Sequence, residues 1–155
     1  MAIEVFKSIT KLTNGMKVEC QARNHTIFLD EPKELGGTDT GMNPVEAVLS
    51  ALGACKCIVA RCFAKVHGID LQDFYIELEG DLDPDGFMGK NKDVKIGFSE
   101  IRSNIHIKST SSKEDIEKFI DFIDRTCPVA DTLANSPKLI TNVKIESDKA
   151  LSVNQ

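Results

Sequence analysis

The sequence predicts an α+β domain in which helices pack on antiparallel sheet. Two observations carry this: short alternating strands bounded by turn residues, and two amphipathic helices with clear capping signals. They give the element order β-β-β-α-β-β-β-α-α-β. At 155 residues, the chain reads as a single domain spanning 1–155.

The first 30 residues read as strands. Met16, Val18, Cys20 and Ala22 alternate with polar neighbours, as in a half-buried strand. Thr13-Asn14-Gly15 is a turn signal that pairs this strand with the Ile3–Leu12 stretch, and Thr26–Asp30 forms a third strand. A Gly-rich loop, Lys33 to Met42, then feeds a long helix and implies flexibility at the mouth of a pocket. Asn43 suits the N-cap, Pro44 the first helical position, and Glu46 completes a capping box. Gly68 suits the stop. At about 100° per residue, Val48, Ala51, Leu52, Cys55, Val59, Cys62 and Val66 gather into one stripe centred on Cys55.

Phe74–Glu79, Val94–Ile101 and Asn104–Lys108 read as strands. Ser112 caps a second helix with Asp115 in the capping-box position, and Ile116, Phe119, Ile120 and Ile123 form its apolar face. Thr126-Cys127-Pro128 interrupts that helix, because the residue before a proline is pushed away from helical dihedrals. A short helix from Pro128 to about Asn135 follows, and Leu139–Glu146 closes the chain as a strand.

Composition narrows the function. A formal charge of −5, a single Tyr and no Trp argue against nucleic acid as a partner, which needs a basic surface or stacking aromatics. The N-terminal Met1–Lys7 segment lacks the basic and apolar regions of a signal peptide, and no apolar run is long enough for a membrane span. The expectation is a soluble cytoplasmic protein. Five cysteines in a reducing compartment are buried hydrophobes, metal ligands or redox centres.

Cys20 reads as buried filler on an inward strand position. Cys57 lies about 200° around the helix from Cys55 and shows no chemical role. Cys62 is roughly 10 Å further along the axis than Cys55, too far for a disulfide, so core packing is its expected role. The spacing Cys55-x-Cys57-x4-Cys62-x4-His67 invites zinc, but on a helix Cys55 and Cys57 point apart, so no metal is expected. Cys127 precedes Pro128 at a helix start, where backbone N–H groups and the helix dipole favour thiolate; a core cysteine near a cap is the alternative. Asp81-x-Asp83-x-Asp85-Gly86 copies the opening of a calcium loop, yet Lys92 stands where the last ligand should be. The Gly36–Gly41 run lacks either standard phosphate-loop spacing.

Gly41 to Cys55, with Asn43-Pro44 at the helix start and Cys55 eleven residues after the proline, resembles the signature of the OsmC/Ohr family. Cys127-Pro128-Val129 is similar to that family's second signature, and Gly80–Ser99 resembles its post-helix strands; the likeness covers roughly residues 15–147. The resemblance implies an OsmC-like fold: an intertwined homodimer with two central helices packed on antiparallel sheets, and active sites near the interface. It also implies reduction of organic hydroperoxides, with Cys55 and Cys127 as the catalytic pair, no bound cofactor, and an external dithiol reductant, dihydrolipoyl in some members.

In that chemistry a Cys55 thiolate attacks the peroxide and becomes sulfenic acid, and Cys127 displaces hydroxide to form a Cys55–Cys127 disulfide. An apolar stripe favours fatty or aromatic hydroperoxides. Burial disfavours thiolate, so Cys55 needs a cation or donor nearby. The hydroperoxide-resistance branch supplies an Arg from its N-terminal strands and a Glu directly after the helix-starting proline. Here Val45 follows Pro44, no Arg stands near Thr13, and Glu46 reads as a cap, leaving Lys17, Arg23 or Arg125 as candidate cations. These departures place the chain nearer the broader OsmC-like branch. The alternative function is a non-catalytic binding or stress-response protein whose cysteines only pack. A different cysteine-dependent enzyme ranks last, for want of a triad spacing.

Overall fold

The structure, a computed structural model, describes residues 2–146; Met1 and the last nine positions of the expected 1–155 domain lie outside the described residues. Strands β1 (Ile9–Leu12), β2 (Val18–Ala22) and β3 (His25–Leu29) form one antiparallel sheet. Helix α1 (Pro44–Phe63) follows, then β4 (Asp73–Asp81), a single helical turn α2 (Pro84–Phe87) and β5 (Glu100–Lys108). Helices α3 (Lys113–Thr126) and α4 (Pro128–Ala134) complete the order. The expected α+β class, with helices against antiparallel sheet, is what is observed.

The long β4–β5 ladder is the platform for α1. Phe74, Ile76, Leu78 and Gly80 alternate inward along β4, and Phe74 faces Ile107 while Ile76 faces Ile105 across the ladder. Gly53 lets α1 come close: a β-carbon there would stand 2.8 Å from Leu78 Cδ1. Between α1 and α3 lie Leu52, Val59, Ala60, Ala64, Phe119, Ile123 and Cys127, all buried. Phe119 and Ile123 are fully enclosed, each worth about 2–3 kcal/mol of apolar burial.

Several sequence expectations change here. Val94–Ile101 and Asn104–Lys108 are not two strands: residues 94–99 are irregular, and β5 runs unbroken through Ser103 and Asn104. The Phe98 ring folds back over Gly80, where a β-carbon would clash at 2.5 Å. Meanwhile Arg102 and Ser103 find polar partners that make them acceptable ladder residues. Leu139–Glu146 forms no strand; among the described residues no strand edge pairs with it, and Leu139, Val143 and Ile145 are exposed. Helix α1 ends at Phe63, and a turn carries the chain to Gly68, whose φ of +67° provides the reversal.

The sheet β1–β3 is laid out as expected, with Gly15 at φ +59° in the first turn, but its residues are exposed or half-buried. Cys20 is therefore only half-buried, not enclosed filler. The Gly-rich loop is also tied down. The Asp30 carboxylate accepts from the Thr38 N–H and hydroxyl and from the Thr40 N–H and hydroxyl. Gly37 sits where a β-carbon would fall 1.8 Å from the Glu31 carbonyl oxygen, so only glycine fits. Among the described residues, no helix is long and apolar enough to cross a membrane.

Candidate active site around Cys55 and Cys127

Helix α1 begins as its sequence dictates. The Asn43 side chain accepts from the Glu46 N–H at 2.9 Å, and the Glu46 carboxylate accepts from the Asn43 N–H at 2.8 Å. Glu46 is a cap, as expected. Three turns on, Cys55 emerges half-buried at the edge of the core.

Cys127 is placed by the proline rule. It ends α3 and begins α4 in an extended conformation (φ −73°, ψ 111°), which Pro128 favours. Its side chain is buried, and its Sγ accepts from the Ala130 N–H at 3.4 Å. Cys55 packs against the buried cluster that includes Cys127, and both Cys127 and the Val129 N–H act on its thiol. The two cysteines, 72 residues apart in sequence, are thus brought to one region of the core beside the first turn of α4.

Burial pushes the Cys55 thiol above its ordinary value, the adjacent Cys127 pushes it further, and only the Val129 N–H opposes them. No cation among the described residues enters this balance. The three candidates are engaged elsewhere. Lys17 Nζ lies 4.9 Å from the Phe28 ring, Arg23 occupies the β2–β3 turn at φ +57°, and Arg125 Nε donates to the Asp121 carbonyl.

The other cysteines separate clearly. Cys62 is exposed, not packed in the core, because the buried face of α1 is Leu52, Gly53, Lys56, Val59 and Ala60. That face is rotated from the expected stripe, and Val48, Cys62 and Val66 fall on the outside. Cys57 points into an open cleft of about 580 Å³ between α1 and β4, shared with Leu49, Phe74 and Tyr75, and burial raises its thiol. This cleft is larger than a second one nearby in the fold, yet neither cysteine of the pair lines it. The smaller, about 310 Å³, is bounded by Leu52 and Ala130, both neighbours of the pair, and by Lys56, Lys95 and Leu133. Proximity to the Cys55 and Cys127 region is the better guide to chemistry than volume.

Sequence reasoning missed Lys56. Its side chain is 9% exposed, and its Nζ meets Asp124 Oδ1 at 2.9 Å and Ser103 Oγ at 3.1 Å. A helical projection puts it about 40° from Leu52, a signal of burial that its charge masks.

Residues 37–142 match the family described as OsmC-like protein. A hydroperoxide reductase of Mycoplasma genitalium is 28% identical over 135 residues, covering 86% of this chain and 90% of that protein. A hydroperoxide reductase of Mycoplasma pneumoniae is 28% identical over 138 residues, covering 89% and 86%. The crystal structure of an OsmC-like protein from Mycoplasma pneumoniae superposes with a TM-score of 0.76 at 26% identity, over 86% of this chain and 89% of that one. An organic hydroperoxide resistance protein from Legionella pneumophila shares the fold at a TM-score of 0.64 and 20% identity, over 87% and 93%. With its fold and its capped helix α1 in place, this chain belongs to the OsmC-like protein family.

Proposed function

We propose that the protein reduces organic hydroperoxides through Cys55 and Cys127. The observation that carries this reading is the packing of Cys55 against the buried cluster that holds Cys127, close enough for Cys127 to raise the Cys55 thiol. Two relatives bearing the name hydroperoxide reductase support it.

Cys55, as thiolate, attacks the distal peroxide oxygen; the O–O bond breaks, the alkoxide takes a proton and leaves as alcohol, and Cys55 becomes sulfenic acid. Cys127 attacks the Cys55 sulfur, hydroxide leaves as water, and a disulfide forms. An external dithiol, such as a dihydrolipoyl group, returns both cysteines to thiols and is itself oxidised to a disulfide. The N–H of Val129 favours negative charge on the Cys55 sulfur. Apolar neighbours, Leu52, Val129 and Leu133 among them, suit a hydrophobic peroxide tail in a reducing cytoplasm.

The catalytic form in this reading is a homodimer. Ile9, Leu12 and Ile27 of the sheet and Ile58 and Val66 beyond the core face of α1 are all exposed, far more apolar surface than a lone protomer ordinarily leaves open. A second copy is also the source this reading assigns for the cation that Cys55 lacks among the described residues of its own chain.

The test is stoichiometric oxidation of the reduced protein with cumene hydroperoxide, followed by peptide mapping. The expected result is one alcohol per protein and a Cys55–Cys127 linkage, with Cys55→Ser inactive; turnover retained in Cys55→Ser would reject the assignment. The raised Cys55 thiol favours one other reading, a non-catalytic binding protein, which predicts slow labelling of every thiol and no disulfide after peroxide.

A further inference from the structure

Lys56 stands at the middle of the buried face of α1, where packing calls for an apolar side chain. Taking an ammonium out of water is costly, and an apolar residue of similar volume commonly holds such a contact as well or better. Stability alone therefore gives no reason for a lysine here. Its partners do. Nζ reaches Asp124 Oδ1 at 2.9 Å on α3 and Ser103 Oγ at 3.1 Å on β5. Among the described residues it is the one side chain whose ion pair joins α1 to α3.

The location of that ion pair matters. Lys56 directly follows Cys55, and Asp124 lies in the last turn of α3, three residues before Cys127. The pair thus joins the same two helices that carry Cys55 and Cys127. Apolar packing between helices tolerates sliding and rotation, whereas a charged, directional contact fixes both.

We propose that Lys56 is a positioning residue: through Asp124 and Ser103 it holds the α3–α4 corner in register with α1, keeping Cys127 aligned for attack on oxidised Cys55. This rests on the two-cysteine reading above. In the step concerned, the Cys127 sulfur bonds to the Cys55 sulfur as the S–O bond of the sulfenic acid breaks. The departing hydroxide takes the proton lost by Cys127 and becomes water, so no external oxidant is required. Alignment governs such a step strongly, because displacing reacting groups by about 1 Å can cost on the order of a hundredfold in rate.

The test partitions the sulfenic acid between two fates. Reduced full-length protein receives one equivalent of cumene hydroperoxide in the presence of dimedone, which traps sulfenic acid, and intact mass gives adduct against disulfide. Lys56→Met, which fills the site without charge, is expected to raise the adduct-to-disulfide ratio roughly tenfold. Asp124→Asn, at a half-exposed position that does not threaten folding, moves it the same way. Asp124→Glu, which keeps the ion pair, restores the wild-type ratio. A lysine that serves only folding would lower the melting temperature and leave the partition of folded protein unchanged; that result in both Lys56→Met and Asp124→Asn overturns the proposal. Absence of any disulfide in the wild type would instead overturn the two-cysteine reading.

Discussion

The β4–β5 hairpin and the β1–β3 sheet follow the same local rules, yet only one of them is covered. Along β4 every second residue turns inward against α1, whereas β1 is exposed at all four positions. Both have alternation, turns and antiparallel pairing; the difference is whether a helix lies on one face. An exposed sheet of three short strands is not a stable end state in water, while the hairpin is half of a core. The chain thus divides into a part that completes itself and a part that awaits a second surface.

The largest expected effect lies in the self-completing part. Phe119 is fully buried, with the His67 ring 5.5 Å away and Phe122 at 6.3 Å. Phe119→Ala should cost about 3–5 kcal/mol, independent of protein concentration, measured by denaturant unfolding. A loss below about 1 kcal/mol would mean that the α1–α3 contact is not the core.

Next comes the uncovered part. Ile27 is 58% exposed within the chain, so Ile27→Asp removes little packing from a lone protomer. If the sheet is the surface of the proposed dimer, the expected result is dissociation and loss of the concentration dependence of the wild-type melting temperature. Sedimentation would read it directly; an unchanged oligomer would show that this sheet is not the shared surface.

How much of this was legible in the sequence follows the same division. Residues whose role is set by neighbours in the chain were readable: Asn43 and Glu46 as a capping box, Cys127 as a hinge forced by Pro128, Phe119 and Ile123 as core. Residues whose role depends on what lies across space were not. The α1 stripe was centred on Cys55, but contact with β4 and α3 turns Lys56 inward and leaves Cys62 outside. Arg102 and Ser103 read as a break because the partners that keep β5 continuous come from other elements. Leu139–Glu146 has strand periodicity but no edge among the described residues of its own chain. The cysteine pair was named from resemblance; the packing that sets Cys55 against the cluster holding Cys127 is tertiary.

A smaller effect separates the protomer from the assembly by pH. Burial and Cys127 raise the Cys55 thiol, so in a dissociated Ile27→Asp protein its alkylation rate should keep climbing above the ordinary cysteine value, about 8.5. In the assembled wild type, a cation from the second copy would bring the inflection lower. Coincident profiles would remove the partner from the activation of Cys55.

The smallest effect is at Asp30, the joint between the two parts. It follows the last strand of the sheet, its N–H donates to the Met42 carbonyl next to the α1 cap, and its carboxylate holds Thr38 and Thr40. Hydrogen bonds led by Thr38 keep that carboxyl well below the usual range. A depressed carboxyl stabilises the fold fully at neutral pH, and the contribution fades only as pH falls below about 4, toward the folded value. Asp30→Asn should therefore speed amide exchange at Thr38 and Thr40 at pH 7, while the core amides of α3 keep their protection. As the pH of the wild type is lowered through that range, its loop should approach the behaviour of the variant. Equal exchange in both proteins at pH 7 would mean that the loop is held by its glycine-dependent backbone path, with Gly37 against Glu31, and not by the buried carboxylate.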